Sequence, residues 1–186
     1  KRQTNTVTIT NSGGEITPDD NHSAITVVIA NAAPIAGSDA INVLEGNTAT
    51  TLVEDETTVL HNDYDPNGGA LWLNTTPIIT ALYGKVTLNA DGTFSYTHDG
   101  SENRDDSFAY QICDDEVPQL CNTGIVSVTV APVNDMPVAQ DDVINVRKGD
   151  TATRLASGAT TVLANDTDPD LPPDTLTTTL VSDVLH

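Results

Sequence analysis

Positive charge is scarce in this chain: its 186 residues hold 7 Lys and Arg against 27 Asp and Glu, a formal net charge of −20. A field of that sign repels nucleic acid and anionic membrane surfaces, so neither is expected as a partner. Aromatic residues are also few, with four Tyr, two Phe and one Trp. That argues against the exposed stacking platform of a carbohydrate-binding module, for which Trp72 and Tyr64 are the candidates. No run approaches the ~20 apolar residues of a membrane span, and no signal-peptide pattern is visible. Helical periodicity is nearly absent. His22, His61, His98 and His186 are scattered, with no HExxH, no G-x-S-x-G and no Gly-rich phosphate loop, so the chain reads as non-enzymatic. The acid pairs Asp105-Asp106 and Asp114-Asp115 read as exposed loop carboxylates rather than a glycosidase pair.

What the chain does contain is a repeat. Residues 34–66 and 137–169 align without a gap at an offset of 103, with 19 identities in 33 positions. Chance in this composition would give about two. A period this long indicates a tandem array of whole domains. The expected organisation is therefore residues 1–33 as the C-terminal strands of a preceding repeat, 34–136 as one complete repeat, and 137–186 as the N-terminal half of the next. A half-domain cannot offset its chain entropy alone, so neighbouring repeats of the same chain or other subunits are expected to complete it.

Period-2 alternation recurs throughout, and the 28 threonines, with Val and Ile, favour strands. Short strands are expected near 41–44, 57–60, 77–82, 85–89, 93–98, 107–112 and 124–130. Phe108, Tyr110 and Ile112 share one face, as do Val126, Val128 and Val130. Asn89-Ala90-Asp91-Gly92 between alternating runs is a hairpin signal, and Trp72 is a candidate core plug. Seven short strands per hundred residues, separated by Gly, Asn, Asp and Pro turns, predict an all-β fold of tandem immunoglobulin- or cadherin-like antiparallel sandwiches. Cys113 and Cys121 bracket a loop between two predicted strands. A disulfide there would imply an oxidising compartment, the other reading being two buried thiols.

The succession P-x-A-x-x-D, V-L-x-N-D-x-D-P, G-x-V-T-L-N-A-D-G-T-F-S-Y, D-S-F-A-Y and V-T-V-x-x-V-N-D-x-P resembles the tandem cadherin-like, immunoglobulin-like repeats of very large bacterial surface proteins, also described as tandem-95 or VCBS-type. The resemblance covers residues 34–186 well and 1–33 loosely. It implies an extracellular spacer in adhesins and biofilm proteins, with a cell-surface protein or glycan as an outer partner.

Two clusters bear on metal binding. Asp63-Tyr64-Asp65-Pro66-Asn67-Gly68 fits the opening half of an oxygen-ligand calcium loop, and its copy reads Asp166-Thr167-Asp168-Pro169-Asp170 with Leu171 in place of Gly. Position 12 is Asn74 rather than Glu, which excludes a helical EF-hand. Asx-type turns would account for the same residues. At the junction between copies, Asn134, Asp135 and Pro137 resemble the cadherin linker, in which calcium bridges consecutive domains. Asp141, Asp142 and Glu116 are candidate further ligands there, and a capped solvated turn is the alternative. The earlier junction, Asn31-Ala32-Ala33-Pro34, lacks the Asp. The expected function is a stiff, calcium-stabilised adhesive spacer or fibre. The rivals are a filament subunit joined head-to-tail by strand complementation and, last, a carbohydrate-binding module.

Overall fold

A computed structural model of the protein describes residues 4–8, 24–28 and 30–182. The chain forms two compact units, Lys1–Ala131 and Pro132–His186. In the first, β1 (Thr4–Thr8) pairs antiparallel with β2 (Ala24–Val28). The body of the unit is built from β3 (Ser38–Leu44), β4 (Thr48–Ala49), β5 (Trp72–Ile79), β6 (Gly84–Leu88), β7 (Phe94–His98), β8 (Asp105–Cys113) and β9 (Cys121–Ala131). One sheet has the order β3-β9-β8-β5, with β3 parallel to β9, and the other has the order β4-β7-β6. The result is a β-sandwich, and the described residues contain no helix.

Alternation builds the core. In β3, and in β9 from Gly124 onward, every second residue is buried, so Ile41 and Val43 meet Val126, Val128 and Val130 on the inner face. Phe108, Tyr110 and Ile112 of β8 and Leu73 of β5 complete that layer against Ala49, Leu88, Phe94 and Tyr96. Both large tyrosines use their hydroxyls. Tyr96 donates to Asp106 Oδ2 at 2.9 Å, and that carboxylate also accepts the Leu82 and Tyr83 amides. Tyr110 lies over Gly124, its register partner, where an added Cβ would stand 2.2 Å from the ring.

Three strand expectations need correction. Trp72 is not the core plug: Leu73 takes the inward position, and period-2 geometry turns Trp72 outward, 55% exposed. Residues 57–60 form turns with a single bridge, Thr58 to Thr93, although Val59 is fully buried. The strand expected over 77–82 runs instead over Trp72–Ile79, with a register shift between Asn74 and Ile79 that accommodates Pro77 on an edge strand. The 89–92 hairpin forms as read, with Asn89 N–H donating to Thr93 O and Gly92 at φ 87°. Cys113 and Cys121 are directly opposed in the β8–β9 register and disulfide-bonded. Closing a loop of this length stabilises the fold by about 2–3 kcal/mol in the chain-entropy account.

The second unit repeats local geometry at the 103-residue offset. The Val138–Thr167 bridge matches Ile35–Tyr64, and Gln140 N–H to Asp166 (2.8 Å) matches Gly37 N–H to Asp63 (2.7 Å). Leu155 N–H to Ala159 O and Ala156 N–H to Val143 O likewise match Leu52 N–H to Glu56 O and Val53 N–H to Ala40 O. Among the described residues, 141–147, the counterpart of β3, have no strand partner. Val143, Ile144 and Val146 are 61%, 57% and 60% exposed, whereas Ile41 and Val43 are buried.

One buried polar group has a pH consequence. Burial raises the Asp39 carboxyl from 3.8 to about 6; the Tyr110 hydroxyl opposes the rise and nearby Asp63 adds to it. A raised folded value means that the folded state holds this proton more tightly than the unfolded chain. The associated stability is complete below about pH 4 and is lost as pH rises through about 6. We therefore expect Asp39→Asn to raise Tm at pH 7 by about 5 °C, with the gain disappearing at pH 3.5 in parallel thermal melts.

Candidate metal centre

The alternation that builds the core continues past the end of β8. Phe108, Tyr110 and Ile112 face inward, and the same phase carries Asp114 and Glu116 to buried positions in the loop that follows. Asp65 reaches the same place from the turn after Tyr64 and is also buried. Carboxylate oxygens of Asp65, Asp114 and Glu116 all lie within 4.8 Å of one another. At that spacing each charged pair repels by about 3 kcal/mol at an effective dielectric near 20.

Local hydrogen bonds hold these groups in place. Asp114 Oδ1 accepts the amides of Leu120 (3.0 Å) and Glu116 (3.3 Å), and its Oδ2 accepts Asn31 Nδ2 (2.9 Å). Burial pushes the Asp114 carboxyl up, but these donors outweigh it and hold the group below the usual carboxylate range. Asn31 Nδ2 also donates to Pro118 O (2.8 Å). Asp65 Oδ1 accepts the Asn67 amide in an Asx turn. Asn67 ties down the incoming segment, accepting Ala32 N–H (2.7 Å) and donating to Ala30 O (3.2 Å). Asp115 Oδ1 accepts the Ala70 amide. Gly69 closes one side: a Cβ there would lie 2.8 Å from Asp115 Oδ1 and 3.3 Å from Asp65 Oδ2.

Buried acceptor atoms remain. Among the described residues, Asp65 Oδ2 and Asn31 Oδ1 have no hydrogen-bond partner. A buried acceptor with no donor costs about 1–3 kcal/mol, more when charged. Three carboxylates and an amide oxygen, with no sulfur or imidazole among them, suit a hard divalent cation. The donor set therefore fits a metal.

The structure divides the sequence candidates. Of the first loop, only Asp65 joins this group. Asp63 is a correction: it accepts Gly37 N–H and the Tyr110 hydroxyl instead, and burial raises its carboxyl above the ordinary value. Asn67 is a second correction, because its amide is spent on residues 30 and 32. In the second unit, Asp168, Asp170 and Asp174 bring carboxylate oxygens within 4.8 Å of one another. Asp170 also accepts the Asp135 amide, the counterpart of the Ala32 to Asn67 bond. Asp166 stands apart, accepting Gln140 N–H, and Asn134 donates to Asp135 O. Asp142 is half-buried and belongs to none of the described acidic groups. Sequence reading missed Asp114 and Asp174, took Asp114 for an exposed loop acid, and assigned Glu116 to the wrong junction. Carrying the inward phase of β8 two and four residues further would have found Asp114 and Glu116.

A family profile described as the bacterial cadherin-like domain matches residues 31–132, more than half of the chain. The chain belongs to that family. Among solved structures, human CDH23 EC21-23 is similar over 82% of this bacterial cadherin-like chain and 52% of its own, at 20% identity and a TM-score of 0.50. Protocadherin gammaB7 EC3-6, a cis-dimer structure, matches 80% of this chain and 40% of its own at 18% identity and a TM-score of 0.45. A nucleoside hydrolase-related hypothetical protein from Saccharophagus degradans matches 55% and 26% at 15% identity and a TM-score of 0.39. The chain thus spans about a quarter to a half of the length of these proteins. The first likeness supports the cadherin-like fold and nothing further. No curated protein matches the sequence.

Repulsion inside the site yields a prediction for this bacterial cadherin-like domain. With chelator present, Asp65→Asn removes one of three crowded charges while keeping the Asx turn. Tm in chelator is expected to rise by about 5 °C; an unchanged or lower Tm would mean that the carboxylates do not oppose one another.

Proposed function

We propose that the protein is a non-catalytic, extracellular cadherin-like module that binds calcium and serves as a stiff spacer within a larger cell-surface or biofilm assembly. The observation that carries this reading is the buried Asp65–Asp114–Glu116 group with the unpartnered Asp65 Oδ2 and Asn31 Oδ1 beside it. Calcium accepts six to eight oxygens in flexible geometry, which suits carboxylates drawn from two loops plus an amide oxygen. Residue 31 lies in the segment leading into the sandwich, so an ion bound there would tie that segment to the 114–120 loop. Stiffness is the mechanical result. The Asp168–Asp170–Asp174 group is the corresponding candidate in the second unit. The disulfide supports an oxidising exterior, and among the described residues no helix is long and apolar enough to cross a membrane.

Calcium at about a hundredfold over its Kd should stabilise the fold by about 2.7 kcal/mol, or about 10 °C in Tm. Glu116→Gln should lose most of that rise. Identical melts in calcium and chelator would eliminate the calcium reading.

A second reading is self-association by strand addition, favoured by the exposed Val143, Ile144 and Val146, which belong to no strand among the described residues. In the first unit the matching residues are covered by β9 in parallel register. Sedimentation velocity over a hundredfold concentration range should then show growing oligomers that Val143→Lys suppresses. A constant monomer would exclude this reading.

A further inference from the structure

The loop Asp114–Leu120 supplies two of the three buried carboxylates, and its ends are the two cysteines. Cys113 and Cys121 form the last rung of the β8–β9 ladder, and beyond them the ladder stops. Past that rung the loop is held by its own contacts, including Asp114 N–H to Leu120 O (3.0 Å), Leu120 N–H to Asp114 Oδ1 (3.0 Å) and Gln119 Nε2 to Asp114 O (2.8 Å). Asn31, with its buried unpartnered oxygen, is anchored to the same loop through Asp114 and Pro118. One covalent bond thus sits directly beneath two carboxylates and the anchor of the amide oxygen. Cys121 is exposed to solvent, so a dithiol can reach the bond.

We infer that the Cys113–Cys121 disulfide sets the cation affinity of the Asp65–Asp114–Glu116 site, so that the site is strong when oxidised and weak when reduced. The inference rests on the cation reading given above. Reduction is thiol–disulfide exchange: a dithiol supplies two electrons and two protons, becomes its own disulfide, and leaves Cys113 and Cys121 as thiols. The last rung is then free to separate. Asp114 and Glu116 no longer sit at fixed distances from Asp65, and the ordering that the bond provided in advance must be paid for on binding. Asn31 loosens with them, so the segment leading into the sandwich is released as well.

The test is calorimetric titration of calcium chloride into the oxidised chain, the chain reduced by a dithiol, the reoxidised chain, and the Cys113→Ser/Cys121→Ser variant. Amide hydrogen exchange of the calcium-free forms accompanies each titration. Reduction and the double variant are expected to raise Kd at least tenfold, and reoxidation to restore it. Exchange should quicken over residues 114–120 while the interior of β8 and β9 stays protected. Equal Kd in all forms would overturn the inference and leave the calcium site standing. Absence of calcium binding even when oxidised would remove the calcium reading and this inference together. Faster exchange throughout β8 and β9 on reduction would also overturn it, because the disulfide would then hold the fold rather than the site.

Discussion

The inward phase of β8 governs both the interior and the site. Phe108, Tyr110 and Ile112 enter the core because side chains alternate along a strand, and past the end of β8 at Cys113 the residues of the same parity, Asp114 and Glu116, are buried too. Asp114 and Glu116 thus follow the apolar residues inward, held there by the loop's own hydrogen bonds. Charge placed this way has to be met by donors or by a cation, since desolvated carboxylates are otherwise costly. Asp114 is met by three amide donors. Asp65 Oδ2 is met by none. That difference separates a carboxylate satisfied by the protein's own donors from one with an acceptor atom to spare, the atom on which the calcium proposal rests.

Composition sharpens the point. With 7 cationic residues against 27 acidic ones, the chain has few side chains with which to neutralise clustered carboxylates. Hydrogen-bond donors, protons or an ion from the surroundings have to take that part. The tyrosine hydroxyls show one solution the fold uses. Tyr96 donates to Asp106 and Tyr110 to the Asp39–Asp63 pair, each placing a polar end against an acid while the ring fills the core. Asp39 and Asp63 are raised chiefly by burial, so proton uptake relieves them. Two neighbouring acidic groups in one domain thus follow different chemistry.

Much of the fold was legible because alternation is a local property. The faces of β8 and β9, the 89–92 hairpin and the opposed cysteines follow from residues close in sequence. The 103-residue offset was legible too, and it reappears as matching turn hydrogen bonds in the second unit. Trp72 was misread because size alone suggested a core position, whereas its place beside Leu73 decides which way it points. The site was only half legible. D-x-D-x-N marks a loop with oxygen donors, yet which of them converge depends on partners far along the chain. Tyr110, 47 residues on, takes Asp63, while the 114–120 loop gathers around Asp65. Spacing within one loop carries no information about either.

The most direct measurement is a crystal structure of the chain grown with calcium, with the ion located by its anomalous scattering. The account predicts an ion about 2.3–2.6 Å from oxygens of Asp65, Asp114, Glu116 and Asn31, with Asp63 still bonded to Tyr110. Density at Asp63 instead, or no ion in crystals grown in millimolar calcium, would contradict it.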